Sequence, residues 1–248
     1  MSEIAYYDEP NGERLAHCTS AGSGPAFVFL PGYMSDMAGG KAQAVAALAK
    51  ERGRACLLLD YSGCGLSSGN FADGTLSKWR DEVIALIDAH GLEKVVLIGS
   101  SMGGWLMLMV AEALGRRVRA LVGIAAAPDF TDWGFAAAQK AELASGNMIL
   151  EDNPYGPEPT PTHPGFWADG EANRQLDREI PFDGPVRLLH GQEDADVPWQ
   201  TALRLAGALR SADVQVTLIK DGDHRLSRDE DIALLLRTLE ALPMDMAA

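Results

Sequence analysis

Residues 95–107 read VVLIGSSMGGWLM. An apolar run of strand length, 95–98, leads into Gly99-Ser-Ser101-Met-Gly103, and a second apolar stretch continues from Met102. A Gly-x-Ser-x-Gly string recurs by chance, so its context decides what it means. Here it joins a buried strand to an apolar helix. A serine on so sharp a strand-to-helix turn takes a strained backbone conformation and exposes its hydroxyl above the sheet. Small residues two before and two after it let the turn close. The pattern selects Ser101 as a nucleophile. Ser100 does not fit, because Ile98 would then stand where a small residue is required.

Outward from this turn, strand-like runs alternate with helical patterns. The runs are 27–30, 55–60, 95–99, 118–124, 185–190 and 214–219, each nearly continuous in apolar residues. Parallel strands covered on both faces have that character. The helical stretches between them are 41–50, 77–90, 101–114, 201–210 and 229–242, and in the second of these Trp79, Val83, Leu86 and Ile87 make one apolar stripe. The alternation predicts an α/β fold with a doubly wound, mostly parallel sheet. Ahead of it, 4–7 and 14–18 flank Asn11-Gly12 and predict an N-terminal antiparallel hairpin. The rhythm breaks only at about 129–180. Prolines at 154, 157, 159, 161 and 164 crowd that stretch, no strand is legible in it, and it holds Phe130, Trp133, Phe135, Tyr155, Phe166 and Trp167. Disorder would call for few aromatics, so a small ordered cap is expected. The whole chain, 1–248, is expected to be one domain carrying that insertion.

A serine hydroxyl needs an adjacent base to become a nucleophile. On an elbow of this type the partners follow in the order serine, acid, histidine. Of the histidines at 17, 90, 163, 190 and 224, only His224 follows the candidate acids, in a loop after the run 214–219. That loop lies over the carboxyl ends of the strands, where open α/β sheets bind ligands. His190 closes a strand and is expected to be structural. The acid comes from His190-Gly-Gln-Glu-Asp194-Ala-Asp196-Val-Pro198, where Glu193, Asp194 and Asp196 compete. Asp194 is favoured as the third residue after the turn glycine, with Asp196 as the main alternative. It would orient His224 and stabilise the imidazolium without taking the proton. For the oxyanion, the backbone N–H of Met102 and that of Tyr33, in Pro31-Gly-Tyr-Met34, are the expected donors. The cap aromatics Trp133, Phe135, Phe166 and Trp167 are expected to form an apolar acyl pocket. There is no Cys/His cluster, phosphate loop or dinucleotide glycine pattern, so neither a metal nor another cofactor is expected.

Composition narrows the classes further. The chain has 248 residues and a formal net charge of −14, with 47% hydrophobic and 23% charged residues. The acidic balance argues against nucleic acid and anionic membrane surfaces, and no apolar run reaches the roughly 18 residues of a spanning helix. The partner expected is a small or acylated substrate; nothing in the sequence sets an oligomeric state. Three cysteines cannot all pair, which suits a reducing compartment. The start, MSEIAYYDEP, is acidic where a signal or transit peptide would be basic. A cytoplasmic location is therefore expected.

The elbow at 99–103, the turn His190-Gly-x-x-Asp194-x-x-Val-Pro198 and Gly222-Asp-His224 resemble the α/β-hydrolase superfamily over nearly the whole chain. Asp60-Tyr-Ser-Gly-Cys-Gly65, Thr75-Leu-Ser-Lys-Trp-Arg80 and Asp223-His-Arg225 are similar to one branch of it. That branch holds mitochondrial α/β-hydrolase-domain enzymes described as palmitoyl-protein thioesterases and acyl-glucuronide esterases. The resemblance implies a serine hydrolase of carboxylic esters or thioesters with Ser101, Asp194 and His224 as its triad. Two other readings stay open: an acyltransferase or perhydrolase using the same triad, and a non-catalytic ligand-binding protein on the same fold.

Overall fold

The computed structural model of the protein describes residues 3–154 and 156–243. The strands are β1 (Ile4–Asp8), β2 (Arg14–Ser20), β3 (Ala26–Leu30), β4 (Cys56–Leu59), β5 (Val95–Ser100), β6 (Val118–Ile124), β7 (Ile149–Glu151), β8 (Thr160–Thr162), β9 (Val186–Gly191) and β10 (Val214–Ile219). The α-helices are α1 (Gly40–Glu51), α2 (Leu76–Ala89), α3 (Met102–Leu114), α4 (Phe130–Trp133), α5 (Ala137–Ala144), α6 (Pro164–Ala172), α7 (Gln200–Ala208) and α8 (Asp229–Glu240). One sheet runs in the order β1-β2-β4-β3-β5-β6-β9-β10. The hairpin β1–β2 and the pair β2–β4 are antiparallel, and every later pairing is parallel.

Burial explains why this sheet is doubly wound. In β3 every residue is buried, with Val28 and Leu30 facing one layer and Phe27 and Phe29 the other. The first layer is completed by Trp79, Val83, Leu86 and Ile87 of α2, by α3, and by Ala202 and Leu205 of α7. The second is completed by Val45 and Leu48 of α1 and by Leu235 and Leu239 of α8. A strand covered on both faces has no polar alternation to show, as the sequence predicts. Because β5, β9 and β10 run parallel, their carboxyl ends share one edge of the sheet. The segments after them carry Ser101, Asp194 and His224 respectively. No helix among the described residues is long and apolar enough to cross a membrane.

The 129–180 segment corrects one expectation. It is not strandless, since β7 and β8 pair antiparallel, Ile149 opposite Thr162 and Glu151 opposite Thr160. Strands of three residues are too short to show a period, and Pro161 inside β8 obscures the second. Around this hairpin pack α4, α5 and α6, with Phe135, Leu143 and Ile149 as a small core of their own. Where the chain leaves the sheet, the buried Asp129 carboxylate accepts the N–H groups of Gln175 and Leu176, both at 2.7 Å. That bond clasps the two ends of the segment together. Tyr155 lies outside the described residues.

A second buried carboxylate supports the loop after β3. Glu82 of α2 is 3% exposed and accepts the N–H and hydroxyl of Ser62, at 2.9 and 2.5 Å. Trp79 Nε1 donates to the Ser62 carbonyl at 3.2 Å. The Tyr61 ring stacks on Trp79, and its hydroxyl donates to the Pro31 carbonyl at 3.1 Å. Burial pushes the Glu82 carboxyl up to about 7, against the opposing pull of the Ser62 bonds. A carboxyl raised in the folded state contributes stability that is complete below its unfolded pKa and is lost as pH rises through its folded one. From about pH 5 to about pH 9, wild-type unfolding free energy should therefore fall relative to Glu82→Gln by about 3 kcal/mol. Urea titrations of both proteins across that range check this; a pH-independent difference would contradict it.

Candidate active site

Ser101 sits between β5 and α3 with φ 54° and ψ −120°, a region that side chains bearing a Cβ rarely occupy. The turn closes because its flanks are glycines. A Cβ on Gly103 would lie 2.1 Å from the Leu30 carbonyl oxygen, and one on Gly99 2.3 Å from that of Gly103. The backbone holds the serine from both sides: its N–H donates to Ile124 at 2.9 Å, and its carbonyl accepts from Gly104 and Ala127 at 2.8 and 3.0 Å.

The loops after β9 and β10 are pressed together. Glu193 N–H donates to the Gly222 carbonyl at 2.9 Å, and a Cβ on Gly191 would lie 2.1 Å from that same oxygen. This contact sets Asp194 beside His224. Asp194 Oδ2 is 2.9 Å from His224 Nδ1, and His224 Nε2 is 3.1 Å from Ser101 Oγ. Oδ1 accepts the N–H groups of Asp196 and Val197 at 2.9 and 2.8 Å. The Asp194 side chain is 0% exposed. Burial by itself would raise its pKa; bonds from His190, His224 and Val197 outweigh that and hold it well below the usual carboxylate range. Asp196, the competing acid, is exposed and lines the cavity beside the site, while the two ring nitrogens of His224 face Asp194 and Ser101. Asp194, Asp196 and His224 carry donor atoms within 4.8 Å of one another, the spacing of a cation site. Both ring nitrogens of His224 already face Asp194 and Ser101.

The expected oxyanion donors stand on either side of Ser101. Met102 opens α3, so its N–H has no carbonyl within the helix to receive it. Tyr33 follows Gly32, whose Cβ, if present, would be 3.3 Å from that of Ser101. The Tyr33 hydroxyl donates to the Pro161 carbonyl at 2.9 Å, and its ring meets Phe71, Phe130 and Phe166 at centroid distances of 5.0, 6.1 and 4.8 Å. The loop after β3 is thus fastened to the 129–180 segment through Tyr33.

A cavity of about 590 Å³ opens on Ser101 and His224. Phe130, Trp133 and Phe135 line it, together with Met34 and Met102. Phe166 and Trp167 are not among its lining residues. Phe166 is 1% exposed and packs against Tyr33, Trp79 and Phe130, while Trp167 packs against the Phe135–Leu143–Ile149 cluster and donates Nε1–H to Thr131 at 3.3 Å. Sequence reasoning also missed the polar part of the wall: Glu151 at the end of β7, Asp152 and Asn153 just beyond it, and Lys41 and Arg225 on the His224 side. The Lys41 ammonium donates to the Arg225 carbonyl, and burial beside Arg225 brings it down to about 8. A further miss is His190, whose Nε2 lies 3.1 Å from Asp194 Oδ2. The His-Gly-x-x-Asp spacing was the signal available for it.

Residues 25–154 match the family described as alpha/beta hydrolase fold. The mitochondrial palmitoyl-protein thioesterase ABHD10 of Homo sapiens is 37% identical over 245 residues, covering 97% of this chain and 80% of the relative. That of Mus musculus is 39% identical over 246 residues, covering 97% and 82%. Among solved structures, a protein from Agrobacterium vitis S4 superimposes with a TM-score of 0.90 at 38% identity, over 97% of this chain and 98% of the other. Alpha/beta hydrolase domain-containing protein 10 from mouse gives 0.89 at 37% identity, over 96% and 97%. These relatives overturn the expectation of a cytoplasmic location, since the curated ones are named as mitochondrial proteins.

Proposed function

The chain belongs to the alpha/beta-hydrolase fold family, and on that premise we propose that it hydrolyses carboxylic esters and thioesters through an acyl-enzyme on Ser101. One observation carries the reading: Ser101 Oγ, both nitrogens of His224 and Asp194 Oδ2 lie in a continuous hydrogen-bonded line of 3.1 and 2.9 Å. His224 Nε2 accepts the Ser101 proton as Oγ attacks the acyl carbon, and Nδ1–H stays on Asp194, which stabilises the imidazolium. The tetrahedral oxyanion takes the N–H groups of Met102 and Tyr33. Collapse expels the alcohol or thiol with the proton from Nε2. Water, deprotonated by the same nitrogen, then attacks the acyl-serine, and Ser101 Oγ leaves with the proton back from Nε2. The relatives named as palmitoyl-protein thioesterases support the thioester half of this proposal.

Residues 129–180 act as the cap of a single domain and select the acyl chain, with Phe130, Trp133 and Phe135 as its apolar wall. Each buried methylene contributes about 0.8 kcal/mol, so four of them favour a longer chain by roughly 3 kcal/mol, or about a hundredfold. Accordingly kcat/KM should rise by about that factor from acetyl to hexanoyl p-nitrophenyl esters and rise further to octanoyl, and acyl thioesters should also be cleaved. Trp133→Ala should flatten the slope while sparing the acetyl ester. A flat or falling profile in the wild type would remove the apolar acyl wall from the proposal.

A further inference from the structure

Asp194 receives two imidazoles, and the reaction above uses only one. His190 is the penultimate residue of β9 and is 1% exposed. Its Nε2 lies 3.1 Å from Asp194 Oδ2 and 3.1 Å from the Val197 carbonyl oxygen. Both neighbours are acceptors: the carbonyl has no proton, and the carboxylate is held ionised. Nε2 must therefore carry a proton, so the geometry fixes which nitrogen of His190 is the donor. The oxygen it reaches, Oδ2, is the one that takes Nδ1–H of His224. The other oxygen is occupied by the N–H groups of Asp196 and Val197. No lysine or arginine among the described residues is paired with this fully buried carboxylate. Four donors face it: Nε2 of His190, Nδ1 of His224 and the N–H groups of Asp196 and Val197.

We infer that His190 is a positioning residue: its Nε2–H fixes Asp194 Oδ2 in line with His224 Nδ1 and ties the 194–197 loop to the end of β9. Were the ring only filling space, any side chain of similar volume would serve. Donation at the Nε2 position is what separates the two roles. Glutamine can place an amide N–H there, whereas asparagine is one carbon short and leucine has no donor.

The inference rests on the triad proposed above, so its test includes a measurement that needs no turnover. In nitrogen-15 NMR spectra of the wild-type protein, His190 should appear as the Nε2-protonated tautomer. The low-field proton on His224 Nδ1 should shift in His190→Leu and return in His190→Gln. In ester kinetics His190→Leu and His190→Asn should lower kcat by about 10- to 100-fold, the equivalent of one hydrogen bond to a charged group. KM should stay within about twofold, and His190→Gln should recover most of the loss. A bare Nε2 on wild-type His190 would overturn the inference. So would a His190→Gln protein as impaired as a folded His190→Leu or His190→Asn, or a His190→Leu protein with wild-type kcat and an unmoved low-field proton. Where the leucine variant does not fold, the wild-type tautomer and the glutamine–asparagine pair decide. A failure of the triad itself shows separately, as a chain whose Ser101 takes no covalent label.

Discussion

Ser101→Ala should lower kcat for an activated ester by about a millionfold, because the members of a nucleophile–base unit act together and losing one loses the unit. The substitution removes only Oγ. It keeps the Cβ at φ 54° and leaves the backbone bonds to Ile124, Gly104 and Ala127 in place, so the unfolding midpoint should stay where it is. Steady-state assays with a burst-phase control, alongside thermal melts, measure both quantities. Ser100→Ala is the matched control, one residue earlier on the same turn. Retention of more than a few percent of activity in Ser101→Ala, or loss concentrated in Ser100→Ala, would place the nucleophile elsewhere.

Asp194→Asn should cost about ten-thousandfold in kcat. An asparagine amide facing His224 Nδ1 favours the wrong tautomer. The histidine then presents Nε2–H to Ser101 Oγ, where a lone pair is needed to take the serine proton. The same change weakens the acceptor set for the N–H groups of Asp196 and Val197 and for His190. Asp196→Asn should cost far less, because it is Asp194 that faces His224 Nδ1, while Asp196 lies at the exposed wall of the cavity. Comparing the two variants at saturating substrate settles their order. The reverse ranking would move the acid to Asp196.

What could be read in the sequence follows from how local each feature is. The elbow is self-contained: Gly99, Ser101 and Gly103 sit within five residues, and the clashes that demand glycine are with one another and with the neighbouring strand β3. The parallel strands announce themselves as unbroken apolar runs, and their ends fall close to where the runs stop. Asp194 was legible through its spacing from a turn glycine, and His224 through chain order. The rest depends on docking. Whether Phe166 faces the cavity or the core is set by how α6 lies on Tyr33 and Trp79, not by the nine residues of the helix. Glu151 reaches the cavity wall because β7 pairs with β8, a pairing between strands too short to show a pattern. His190 looked like a residue ending a strand. Its bond to Asp194 appears only once the loop folds back over the strand end.

Incubation of the native protein with a fluorophosphonate, followed by intact mass measurement and fragment mapping, tests directly whether Ser101 is an activated nucleophile. A single adduct on Ser101 is the predicted result, formed far more slowly when His224 is replaced by alanine and absent in Ser101→Ala. No adduct on the folded protein, or an adduct on any other residue, would contradict it.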